Sequence, residues 1–86
     1  GYGEPEYGVA RIECDQDVSP LIRVRSSSDS SIDSVRRLGP GGGVLELGGI
    51  GPWDVEASVD GRNWSEIGSN IKGLKDSVDV PVLRYR

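Results

Sequence analysis

Apolar and polar side chains alternate along this chain in short runs, each closed by a cluster of Gly, Pro, Asp, Asn or Ser. "VARIEC" (9–14) puts Ala10, Ile12 and Cys14 on one face and Val9, Arg11 and Glu13 on the other. "LIRVR" (21–25) sets Ile22 and Val24 against Arg23 and Arg25. A period of two predicts half-buried antiparallel strands in both places. "DQDVSP" between them is a turn, with Pro20 at the entrance to the second strand, and "SSSDSS" (26–31) is a polar loop. "IDSVRRLG" (32–39) carries two signals. Ile32, Val35 and Leu38 recur near helical spacing, Ser31 can cap and Gly39 can terminate. A helix of about eight residues is weak without a strong packing partner, so strand or loop is the expectation, with at most one helical turn.

The next segment holds seven glycines in the thirteen positions 39–51. It has the four-residue gap of a phosphate loop between Gly43 and Gly48, but Gly49 stands where such a loop needs Lys, and no Ser or Thr follows. No three glycines here fall in the dinucleotide spacing either. Glycine's tolerance of positive φ accounts for these letters, and they read as turn, short strand (Val44 to Leu47) and turn. "DVEASVDGRNWSEIG" (54–68) then reads as a hairpin. Val55, Ala57 and Val59 are expected to face inward, Asp60-Gly61 supplies the turn, and Trp64 packs across the strand pair with Ile67. In "SVDVPVLRYR" (77–86), Val78 and Val80 alternate with polar neighbours. Pro81 then demands a bulge or a sheet edge, because it cannot donate to a ladder. Leu83 and Tyr85 share the face opposite Val82, Arg84 and Arg86.

About seven short strands with turns between them give an all-β fold, a small antiparallel β-sandwich or jelly-roll-like barrel. The single sandwich domain spans 9–86. Before it, "GYGEPEYG" (1–8) has no period and reads as an extended N-terminal arm. Such an arm frays unless something pins it, and its apolar content is Tyr2 and Tyr7. Order there requires the tyrosines to dock on the sheet or on a neighbouring subunit.

Composition narrows the function. With 86 residues, no Phe and no Met, the core rests on Val, Ile and Leu with the two tryptophans. Trp64 is expected in the core for volume. Trp53, after Gly51-Pro52, is open between core and contact surface. A net charge of −4 argues against nucleic acid and anionic membrane as partners. No run approaches the ~20 apolar residues of a helical span. The lack of His removes the usual general base and the commonest transition-metal ligand, and the single Cys14 rules out an intrachain disulfide.

Residues 44 to 86 resemble two families through "VEASVDGRNWSEIG" and "VPVLRYR". One is the discoidin-like (coagulation factor type C) jelly roll, whose strands carry a V-x-V-S-x-D-G-x-N-W pattern. The other is the group of small β-sandwich decoration and tail proteins of tailed bacteriophages, with a similar S-x-D-G-x-N-W hairpin before a closing strand. The first resemblance implies carbohydrate or lipid binding, although discoidin domains are much longer and commonly carry a cysteine pair that this chain lacks. The second implies a non-enzymatic virion component, and accommodates short length, glycine richness and an arm.

Candidate chemistry is sparse. Asp15 and Asp17 lie on one side of an extended segment, as in a calcium loop or a glycosidase pair, but solvated acids in a turn explain them with less. Cys14 on an inward face reads as inert packing, and the serines lack an activating base. No catalytic residue, metal or cofactor is expected. Arg23, Arg25, Arg36 and Arg37 make the middle of the chain basic, whereas residues 1–20 hold five acids against Arg11 alone. These read as solvated strand faces or as complementary patches between copies. The expectation is a structural module in a virion, touching copies of itself or other virion proteins through Tyr2, Tyr7, these arginines and Trp53. The alternative is a secreted carbohydrate-binding module with a glycan partner.

Overall fold

The computed structural model of the chain describes residues 8–73 and 79–86, over which the alternating runs fold as two sheets. The strands among the described residues are β1 (Val9–Glu13), β2 (Leu21–Ser26), β3 (Asp33–Arg37), β4 (Gly42–Glu46), β5 (Trp53–Ser58), β6 (Ser65–Ile71) and β7 (Val82–Arg84). One sheet runs β4-β1-β7 and the other β3-β2-β5-β6. The pairings are antiparallel except β1 with β7, which is parallel. The backbone N–H groups of Arg11 and Tyr85 close that parallel ladder on the carbonyls of Pro81 and Glu13, each at 2.9 Å.

The period of two decides what is buried. Ala10 and Ile12 of β1, Leu45 of β4 and Leu83 of β7 face Ile22 and Val24 of β2 and Trp53, Val55 and Ala57 of β5. Leu38 and Leu47 extend this core, and Ile67, Ile71 and Tyr85 pack at its margin. The all-β sandwich expected from the sequence is therefore the fold. Ile32–Leu38 adds no helix: residues 33–37 are strand, and their apolar Val35 is 52% exposed.

Close approach explains two glycines. A Cβ on Gly8 would sit 2.7 Å from the Trp53 ring, so the chain can enter β1 over the indole only without a side chain. Gly42 has φ +92° and lies against the Ile12 carbonyl, a position that only glycine occupies without strain.

Several expectations are corrected. The fourth strand begins at Gly42 and ends at Glu46, two residues ahead of its expected start at Val44. Val59 is 53% exposed and not inward, because β5 ends at Ser58 and the chain turns away before the alternation reaches it. Trp53 is completely buried and cannot serve as an interface residue. It opens β5 on the inward face, where it supplies the volume expected of Trp64. Trp64 precedes β6, is half-buried, and belongs to the turn and not to the central core. Pro81 stands at the entrance to β7, an edge strand of its sheet, as its missing donor requires. Tyr2, Tyr7 and Val78 lie outside the described residues.

Candidate interaction surface

At the end of the sandwich where β4 passes to β5, the serine-rich loop fastens the glycine-rich one. Ser26, the buried last residue of β2, donates its hydroxyl to the Ile50 carbonyl at 2.5 Å. The same oxygen accepts the N–H groups of Ser28 and Asp29, each at 3.2 Å. Ser28 Oγ donates to the Gly51 carbonyl at 2.8 Å. Ser27 gives both its N–H (2.9 Å) and its hydroxyl (3.0 Å) to the Pro52 carbonyl. Beneath them the Trp53 Nε1–H reaches the Gly48 carbonyl at 2.9 Å. With its backbone held from below, the loop leaves the Ile50 side chain 70% exposed. Gly8, whose carbonyl accepts the Leu47 N–H at 2.7 Å, fixes the arm's junction with the sandwich at this same end.

A second exposed feature is β3, one of the two edge strands of the four-stranded sheet. Its register with β2 pairs Ile22 with Arg36, Arg23 with Val35 and Val24 with Ser34. The flanking bonds, Leu38 N–H to the Pro20 carbonyl (2.9 Å) and Ser26 N–H to the Ile32 carbonyl (3.2 Å), set the phase of the ladder. Ser34 and Arg36 therefore exchange hydrogen bonds with β2, while the N–H and C=O groups of Asp33, Val35 and Arg37 point outward. All five residues of β3 are exposed. Ser34 and Arg36 lie on the same face as Ile22 and Val24, so β3 overhangs the core and is uncovered there by the other described residues.

The outer face of this sheet is laced by its own charges. Arg23 grips Asp33 with two bonds, Nε–Oδ1 at 3.0 Å and Nη2–Oδ2 at 2.8 Å, and this fork holds the Asp33 carboxyl below the usual carboxylate range. Arg25 pairs with Glu56, and Arg37 donates Nη1–H to the Ser19 carbonyl at 2.7 Å. Of the expected arginine set, Arg23, Arg25 and Arg37 are thus engaged within the chain. Arg36 and Arg37 lie side by side in sequence on the open edge, on opposite faces of β3.

The hairpin turn is a closed hydrogen-bonded unit. Asp60 Oδ1 accepts from the N–H groups of Arg62 and Asn63 at 2.8 Å and from the Ser58 hydroxyl at 3.0 Å. Its Oδ2 accepts the Asn63 amide at 2.7 Å. Ser58 Oγ in turn takes the Gly61 N–H at 2.9 Å, and Trp64 Nε1–H donates to the Gly61 carbonyl at 3.2 Å. These bonds, led by those from the Asn63 and Arg62 N–H groups, push the Asp60 carboxyl well below the usual range. No protein-family model, curated protein or solved structure matches the chain. The S-x-D-G-x-N-W letters that carry the resemblances are each used inside this turn.

A polar cleft of about 490 Å³ lies between the end of β1 and the glycine loop before β4. Cys14 lines it. Its Sγ–H donates to the Val18 carbonyl at 3.4 Å, and burial pushes the thiol up, away from the reactive thiolate. Asp15 and Asp17 are exposed in the adjoining turn. Among the described residues no three His, Cys, Asp or Glu side chains converge. Sequence reasoning missed two surface residues. Ile50 was legible as a lone apolar residue inside a glycine loop. Val35 was hidden by a helical spacing that its strand does not use.

Proposed function

We propose that this protein is a non-enzymatic structural module that works through contacts between protein subunits, as a decoration or tail component of a tailed-phage particle does. The observation that supports this reading is the presentation of Ile50. Scattered exposed apolar residues are ordinary on any protein, and most need no explanation. Here, however, the hydroxyls of Ser26, Ser27 and Ser28 are all directed to carbonyls of the Ile50–Pro52 segment. An apolar side chain on a pre-ordered backbone loses less entropy on docking than one on a loose loop. Gly8, where the expected arm meets the sandwich, lies at this same end. The phage setting comes from the resemblance of residues 44–86, and the mode of action from the surface. The burial of Trp53 removes one of the two indoles a sugar-stacking platform would use, so the carbohydrate reading is not favoured.

The test combines Ile50→Asp with removal of residues 1–7. Both changes are expected to leave the melting temperature within a few degrees of the parent. Together they should abolish attachment to purified particles. Attachment that survives both changes overturns the reading. Glycan binding by a free, unattached protein supports the alternative instead.

A further inference from the structure

We infer that β3 is a pairing edge for a second copy of this chain, forming a two-fold antiparallel β3–β3 ladder centred on Val35. This inference goes beyond the proposed function, since it uses neither the arm nor Ile50. Three observations carry it. The first is hydrogen-bond phase. The outward N–H and C=O groups belong to Asp33, Val35 and Arg37. In a two-fold antiparallel pairing centred on Val35, those same residues meet: Val35 opposite Val35, and Asp33 opposite Arg37 of the second copy at each end. Each of these pairs is of the kind that exchanges both backbone bonds, so the phase fixed by β2 is the one the ladder needs.

The second observation is charge. Residues directly opposite in an antiparallel ladder lie on the same face. The sequence Asp33-Ser-Val-Arg-Arg37 then places a carboxylate against a guanidinium twice, with the exposed Val35 side chains touching between them. Asp33 already holds Arg23 within its own chain, and a second guanidinium extends that pair into an Arg–Asp–Arg row across the seam. Arg37 uses Nη1 on Ser19 and keeps its other N–H groups for the partner.

The third is selectivity. Moving the two-fold centre to Arg36 would oppose Arg36 to itself, and a parallel pairing would align like charges along the strand. Edge strands with inward charges usually resist pairing. Here the inward Arg36 faces Ser34 in the centred register and repels in the shifted one. Centring on Ser34 would set Asp33 against Val35 and form no acid–base pair, so the register centred on Val35 is the one that gains both Asp33–Arg37 pairs.

A five-residue edge buries less than the ~1,200 Å² of a stable standard interface, so the dimer is weak and concentration-dependent. Sedimentation velocity of the intact protein, from about 10 μM to about 1 mM, should show a monomer giving way to a dimer. About 1 M salt should shift the transition to higher concentration, because the Asp–Arg pairs are exposed. Val35→Lys and Arg37→Asp should each remain folded by circular dichroism and lose the dimer, whereas Ile50→Asp should keep it. The decisive arm is a mixture. Arg37→Asp chains and Asp33→Arg chains each set like charges across the seam and should be monomeric alone. Mixed one to one, they should form a heterodimer, because both ends then oppose acid to base. A parent that stays monomeric at 1 mM overturns the inference. So does a dimer that survives Val35→Lys, or a mixture that fails to associate. Loss of particle attachment on Ile50→Asp with the dimer intact would separate this inference from the proposed function.

Discussion

Two tryptophans eleven positions apart carry opposite roles, and backbone position alone decides which. Trp53 opens β5 on its inward face and is fully buried beneath Gly8. Trp64 falls just before β6 and closes the turn through Gly61. Trp53→Ala should therefore cost ~3–5 kcal/mol by denaturant titration, enough to unfold so small a domain, while Trp64→Ala should cost about 1 kcal/mol. Equal losses would contradict this division. The acids of the loops give a pH dependence. Asp60, Asp29 and Asp33 all titrate below the ordinary aspartate value of 3.8 in the folded chain, held down first by the Asn63 N–H, the Ser31 hydroxyl and Arg23, respectively. The unfolded chain binds protons more readily than the folded one in this range. Their contribution is complete above about pH 4 and is lost as pH falls below it. The midpoint of thermal unfolding should drop between about pH 4 and pH 2, and Asp60→Ala should lower it at neutral pH and flatten the acid fall. A midpoint unchanged down to pH 2 would contradict this origin.

At the scale of elements, the sequence was most legible where one face is buried and the period is clean. Ile22 and Val24, Val55 and Ala57, Ala10 and Ile12 announce their strands because their neighbours are charged or polar. Val59 continues the same alternation on paper, yet Ser58 bonds to Asp60 and Gly61 and ends the strand first. Turn chemistry overrode the pattern there. β3 was ambiguous for a different reason. A strand exposed on both faces has no buried row, so no alternation of burial could be imposed on its letters. The parallel β1–β7 pairing had no signature, since it joins opposite ends of the chain. The Asp60 loop also accounts for the family resemblances. Ser58, Asp60, Gly61, Asn63 and Trp64 satisfy one another, and a hairpin of any function gains by using them.

For the whole molecule, the two sheets share one core but differ in width. The three-stranded sheet leaves the inner face of β3 without cover from the described residues, and the serine loop holds Ile50 out at one end. The central claim is that the edge of β3 is open. Residue-resolved amide hydrogen exchange in dilute solution tests it most directly. Ser34 and Arg36 should exchange slowly because their N–H groups are bonded to β2, and Asp33, Val35 and Arg37 should exchange quickly because theirs face water. That alternation along five consecutive residues is the predicted result. Slow exchange at Asp33, Val35 and Arg37 in the dilute monomer would mean that the chain covers its own edge, and would contradict the account.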